Sequence, residues 1–160
     1  MHISVGDVRG LRFDDATPLT AASAIAPLGD GWLVAQDDST SAGWWRAGSV
    51  VPLRLLPPVE GHDRFSEAAG TKRLKPDLEV ACPADVDGEP AVLVLGSGST
   101  DRRTRGVLVR LDDGQPLVHA GELAPLYGLV ARQLGLADGQ LNLEGASRHG
   151  GTVRWFNRGN

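Results

Sequence analysis

Two short stretches of the sequence place oxygen-bearing side chains two residues apart: Asp77 and Glu79 in KPDLE, and Asn142 and Glu144 in LNLEGA. On a β-strand, residues i and i+2 share a face, so each pair points one way. If both strands are the innermost of their sheets, the pairs converge on a common channel and offer three carboxylates and an amide carbonyl. Hard oxygen donors of this kind suit calcium or magnesium. Asp77, Glu79, Asn142 and Glu144 are therefore the candidate metal ligands, with calcium as the candidate cofactor. The competing expectation is that the same side chains line a wet channel or satisfy backbone groups at the strand starts. The matching place in an earlier unit falls at about Ala22, so an acid is not repeated throughout.

A second candidate is the loop from Gly96 to Arg103, GSGSTDRR. It fails the specific phosphate-binding tests. No Lys follows a glycine as in a P-loop, and Asp101 stands where the third glycine of a dinucleotide fingerprint belongs. A strand follows, where an anion site needs a helix N-terminus. The charges keep an anion site open, because Arg102, Arg103 and Arg105 can join Lys72, Arg73 and Lys75 near one rim. Lys75, Ser97, Ser99, Arg102 and Arg103 are the candidate substrate-binding residues, against a solvated charge cluster as the alternative. Nucleophilic catalysis finds no support: in Gly145, Ala146, Ser147, Arg148, His149 a histidine replaces the second glycine of a nucleophile elbow, between two strands. The four histidines are scattered, with no metal-ligand spacing. His62 beside Asp63 is the one histidine worth testing as an acid/base group.

The elements that must position these residues form a repeat. Residues 75–105 read as a strand, a turn at Asp87 to Pro90, an apolar strand from Ala91 to Leu95 and a decorated loop. The plan recurs upstream around the turn at Gly29, Asp30 and Gly31, and downstream around Gly150 and Gly151. The copies lie roughly 55 to 65 residues apart, a spacing that points to propeller blades or arrays. The predicted fold is all-β: a single domain over 1–160, a partial β-propeller of two to three blades, with units at about 17–56, 75–120 and 141–160. One short helix is inserted near 122–134, where apolar residues recur every three or four positions and Pro125 fits the first turn. Residues 1–16 are expected to give one or two short strands, the better being Val8 to Phe13. Residues 57–74 read as a long surface loop.

Matching Asn157–160 to the segment from Asp37 and to that from Gly96 leaves the third unit ending after its second strand. About two and a half blades are encoded, whereas closed propellers have four to eight. The chain is thus expected either to be part of a longer protein or to complete a ring with further copies. Open blade edges would favour such self-association.

The sequence has 160 residues, with 20 acidic against 16 basic side chains. A mildly acidic balance argues against nucleic acid as the main partner. The lone Cys82 excludes an internal disulfide and suits a small buried apolar role. No stretch reads as a secretory leader or a membrane span, so a cytoplasmic protein is expected.

At KPDLE, LVLGSGSTDRR and LNLEGASRHGGTVRWFNRGN the chain resembles an uncharacterised bacterial family of propeller-like proteins, a domain of unknown function, of which it looks like the N-terminal part. More distantly it is similar to phytase-related, esterase-like six-bladed propellers. The resemblance implies a calcium-using or otherwise metal-assisted propeller, with Asp77, Glu79 and Glu144 matching the channel acids. Ester or lactone hydrolysis is the activity it implies, the metal polarising the substrate oxygen. Two functions follow as expectations. One is binding of a small ligand or protein partner at the loop-bearing face, and the other is calcium-dependent ester or lactone hydrolysis in the channel.

Overall fold

A computed structural model describes residues 4–6 and 8–159. Among them, ten strands form three antiparallel sheets. The first sheet runs β1 (Ala22–Leu28), β2 (Gly31–Gln36), β3 (Ser41–Arg46) and β4 (Ser49–Arg54), each strand paired to the next. The second repeats that order with β5 (Leu78–Val86), β6 (Glu89–Gly96), β7 (Arg105–Asp112) and β8 (Gln115–Glu122). The third contains β9 (Leu143–His149) and β10 (Thr152–Asn157). The sequence dictates this plan at its turns. Asp87 and Gly88 both take positive φ, as do Asp113 and Gly114, which is the two-residue hairpin geometry that matches strand twist.

The first strand of each sheet packs beside its counterpart in the next: β5 lies against both β1 and β9. These inner strands are not paired with one another, so the sheets stand side by side like blades and close no barrel. Two cores fill the gaps. Leu28, Leu33, Ala35 and Trp44 of the first sheet meet Leu78, Val92, Val94, Val107 and Val109 of the second. Val80, Cys82 and Leu95 of the second meet Tyr127, Leu141 and Leu143. Fully buried Cys82 thus fills core space, as its apolar surroundings in the sequence suggest.

The one α-helix among the described residues, α1 (Ala124–Gln133), falls inside the predicted span with Pro125 in its first turn. Its apolar stripe is only partly used, with Tyr127 buried and Leu126 and Leu129 exposed. The expected strand from Val8 to Phe13 does not form. Only an isolated bridge from Arg12 to Pro18 occurs there, although Phe13 is buried. The remainder of that expectation, at residues 1–3 and 7, lies outside the described residues. Residues 57–74 form no strand, yet they are tied down. Thr40 donates its backbone N–H to Asp63 at 3.0 Å, Phe65 donates to Asp38 at 2.9 Å, and the side chains of Phe65 and Leu74 are buried. Sequence patterning missed these anchors because they are isolated apolar residues without a period.

Candidate functional site

The three inner strands share an irregularity that strand alternation alone does not predict. In the first sheet Ala22 pairs with Gln36 and Ala24 with Ala35, which leaves Ser23 unopposed. In the second, Leu78 pairs with Gly96 and Val80 with Leu95, which leaves Glu79 unopposed. In the third, Leu143 pairs with Asn157 and Gly145 with Phe156, which leaves Glu144 unopposed. A bulge of this kind bends a strand and re-aims a side chain. The equivalent of Glu144 in the first repeat is therefore Ser23, one place beyond the Ala22 that sequence spacing suggests.

Backbone hydrogen bonds fix the rest of the equivalence. Asp37 donates its N–H to Ala21, Ser97 donates to Asp77, and Arg158 donates to Asn142. The first residue after the second strand is thus Asp37, Ser97 or Arg158, one place later than the match of Asp37 with Gly96 and Asn157. Each repeat sets three positions around the start of its inner strand, and the second repeat fills them with Asp77, Glu79 and Ser97.

Most of the positions of the second and third repeats meet at a cavity of about 460 Å³. The second repeat contributes Lys75, Asp77, Glu79, Ser99, Thr100 and Arg103, and the third contributes Asn142, Glu144 and Arg158. The first repeat adds Asp37 at its margin, with ligand oxygens of Asp37, Asp77 and Glu79 all within 4.8 Å of one another. All four candidate metal ligands and three of the five candidate substrate-binding residues therefore line one cavity. Ser97 lies just beneath it, fully buried, donating to Asp77 at 2.6 Å. Arg102 lies elsewhere, 3.7 Å from Glu60. Of the other basic residues, Arg73 also reaches Glu60, and Arg105 lines the same groove as Glu60 and Arg102 while pairing with Glu122, whereas Lys72 pairs with Glu67.

Within the cavity the acids are largely matched by cations. Lys75 bridges Asp37 and Asp77, its ammonium 2.5 Å from Asp77. Arg103 reaches the other oxygen of Asp77 at 3.0 Å and donates to Ser99 at 2.9 Å. Glu144 accepts from Asn142 at 2.9 Å and lies 3.3 Å from Arg158. Burial opposes the charge on Lys75, but its hydrogen bonds to Asp37 and Asp77 outweigh that and raise its pKa. Glu79 has no ion pair or hydrogen bond among the described residues. Burial first, and then the charges of Asp77, Asp37 and Glu144, push its pKa up to about 7. A carboxyl that shares its proton with water near neutrality can act as an acid, a base or an acceptor for a cation.

Behind the cavity, α1 holds the loop that carries Ser99 and Arg103. Tyr127 donates its hydroxyl to the Gly96 carbonyl at 2.7 Å. At Gly96 itself a Cβ would stand 2.2 Å from the Arg103 carbonyl oxygen, so only glycine allows the loop to close there. Sequence spacing misses Asp37 because it follows the second strand of its repeat, whereas the spacing compares inner strands. The polar run directly after β2 was the available signal. The described residues contain no helix long and apolar enough to cross a membrane.

Comparison with known proteins gives one assignment. The model of a family of unknown function (DUF6929) matches residues 18–160. No curated protein and no solved structure matches the chain.

Proposed function

The chain belongs to this family of unknown function, DUF6929, and from that premise we propose that it binds a small polar ligand in the cavity at the common end of its inner strands. The observation that supports this is the convergence of repeat-equivalent side chains from adjacent sheets on one cavity lined by donors and acceptors. Ligand pockets place a few convergent polar groups on a rigid frame, and here the frame is the strand bulges. The blade-like packing of the inner strands also favours the propeller interpretation, in which such a cavity opens on the central channel. The test is a thermal-shift screen of small polar compounds on the full chain. Hits are expected to disappear in Thr100→Trp, which fills the cavity from an exposed position. Hits that survive that substitution refute the cavity as the binding site.

A second reading, calcium-dependent ester or lactone hydrolysis, draws support from the 4.8 Å grouping of Asp37, Asp77 and Glu79. The donor set does not suit calcium as it stands. Lys75 holds Asp37 and Asp77, and Arg103 and Ser97 hold the remaining oxygen of Asp77. A cation of that size takes six to eight oxygens. Calcium titration of the unmodified chain decides it: a rise in melting temperature by mass action favours the metal, and no rise removes it.

A further inference from the structure

Resting on the cavity reading, we infer that the ligand carries a protonated amine and that Glu79 receives it. Four carboxylates meet three cations in and beside the cavity. The charged groups facing Glu79 are Lys75 and Asp77 from the segment before β5, Asp37 after β2, Glu144 on β9, Arg103 in the 101–103 turn and Arg158 after β10. Lys75, Arg103 and Arg158 are each committed to an acid. An anionic ligand group would meet cations already engaged and carboxylates that repel it. A cationic group meets the one acid left without a partner.

The geometry selects an ammonium over a metal ion. Lys75 shows what this corner accepts, since its own ammonium occupies the angle between Asp37 and Asp77. An ammonium needs only three acceptors. Glu79 supplies two oxygens, and the amide oxygen of Asn142 and the second oxygen of Glu144 are left open by the bond that joins those two side chains. No covalent bond forms or breaks.

Titration calorimetry of the full chain at pH 7 in phosphate tests this with 1,4-diaminobutane and L-lysine as amine probes. Calcium chloride alone and sorbitol serve as the contrasting probes. Both amines are expected to bind. In Glu79→Gln, with its fold checked by melting temperature, affinity is expected to fall tenfold or more. Calcium binding without amine binding overturns the inference, as does amine binding that Glu79→Gln leaves unchanged. Sorbitol binding that is lost in Thr100→Trp but indifferent to Glu79→Gln overturns the amine and leaves the cavity reading standing. If no probe binds, the amine inference fails, and the wider screen then decides the cavity reading.

Discussion

Replacing Glu79 with glutamine is expected to stabilise the protein, and to do so only where the wild-type carboxyl is under strain. In the folded chain its pKa is raised from 4.5 to about 7, by burial first and then by Asp77, Asp37 and Glu144. The unfolded state gives up the proton near pH 4.5, while the folded state still holds it. Between those values the folded state binds more protons than the unfolded state, so stability falls as pH rises. Above pH 7 both states are ionised and the full penalty is present. A shift of this size corresponds to about 3 kcal/mol, and screening of a partly exposed group reduces it to about 2 kcal/mol. For a domain of this length that is a rise of roughly 4–8 °C in melting temperature. Differential scanning calorimetry of wild type and Glu79→Gln at pH 4 and pH 8 measures it, and the difference between the two proteins cancels the titration of other groups. The variant should match wild type near pH 4 and exceed it at pH 8. An equal offset at both pH values, or a variant less stable at pH 8, refutes the assignment of Glu79 as an unpartnered and strained acid.

Lys75→Met is expected to cost about 2–3 kcal/mol by urea unfolding, because it leaves the buried Asp77 with Arg103 as its one cation and with the Ser97 hydroxyl on the same oxygen. Combining it with Asp77→Asn should recover part of that loss, and strict additivity would show that the pair is uncoupled. The bridge also predicts that its stabilisation, present below pH 10.5, fades as pH rises through the raised pKa of Lys75. Gly96→Ala should destabilise by about 3 kcal/mol, since the new Cβ meets the Arg103 backbone; a neutral result by calorimetry would mean that the loop yields easily. Asp63 accepts from Arg54 and from the Thr40 hydroxyl, and those bonds lower its pKa. Their contribution is present above pH 3.8 and lost as pH falls through the lowered value, so limited proteolysis should cut residues 57–74 faster in Asp63→Asn at neutral pH, and Asp63→Asn should show no further acceleration from this bond at low pH.

Much of the fold is legible in the sequence because its signals are local. Apolar runs such as Ala91 to Leu95, and left-handed turn pairs such as Asp87 with Gly88, specify a hairpin without distant partners. The helix is legible for the same reason, its proline lying in the first turn. The site is half legible. Asp77, Glu79, Asn142 and Glu144 do meet, but through bulges that strict alternation forbids, and a bulge leaves no mark in residue type. That one-residue offset is why spacing points to Ala22 while the bulge stands at Ser23. Asp37 belongs to a different strand end from the one spacing tracked, and Arg102 is drawn away by Glu60, a residue of the loop between sheets. Both depend on contacts between repeats, which a reading within each repeat cannot supply.

The recurring bulge separates where a side chain points from what that side chain is. Each repeat presents the same three places, at 21, 77 and 142, at 23, 79 and 144, and at 37, 97 and 158, and the backbone pairing holds them whatever residue stands there. The scaffold therefore behaves as a socketed board. In its first repeat the middle socket is filled by Ser23, whose hydroxyl donates to the Leu78 carbonyl and so ties the first inner strand to the second. One address thus serves as a tie between sheets in the first repeat and as an open acid in the second, on the same bulged backbone.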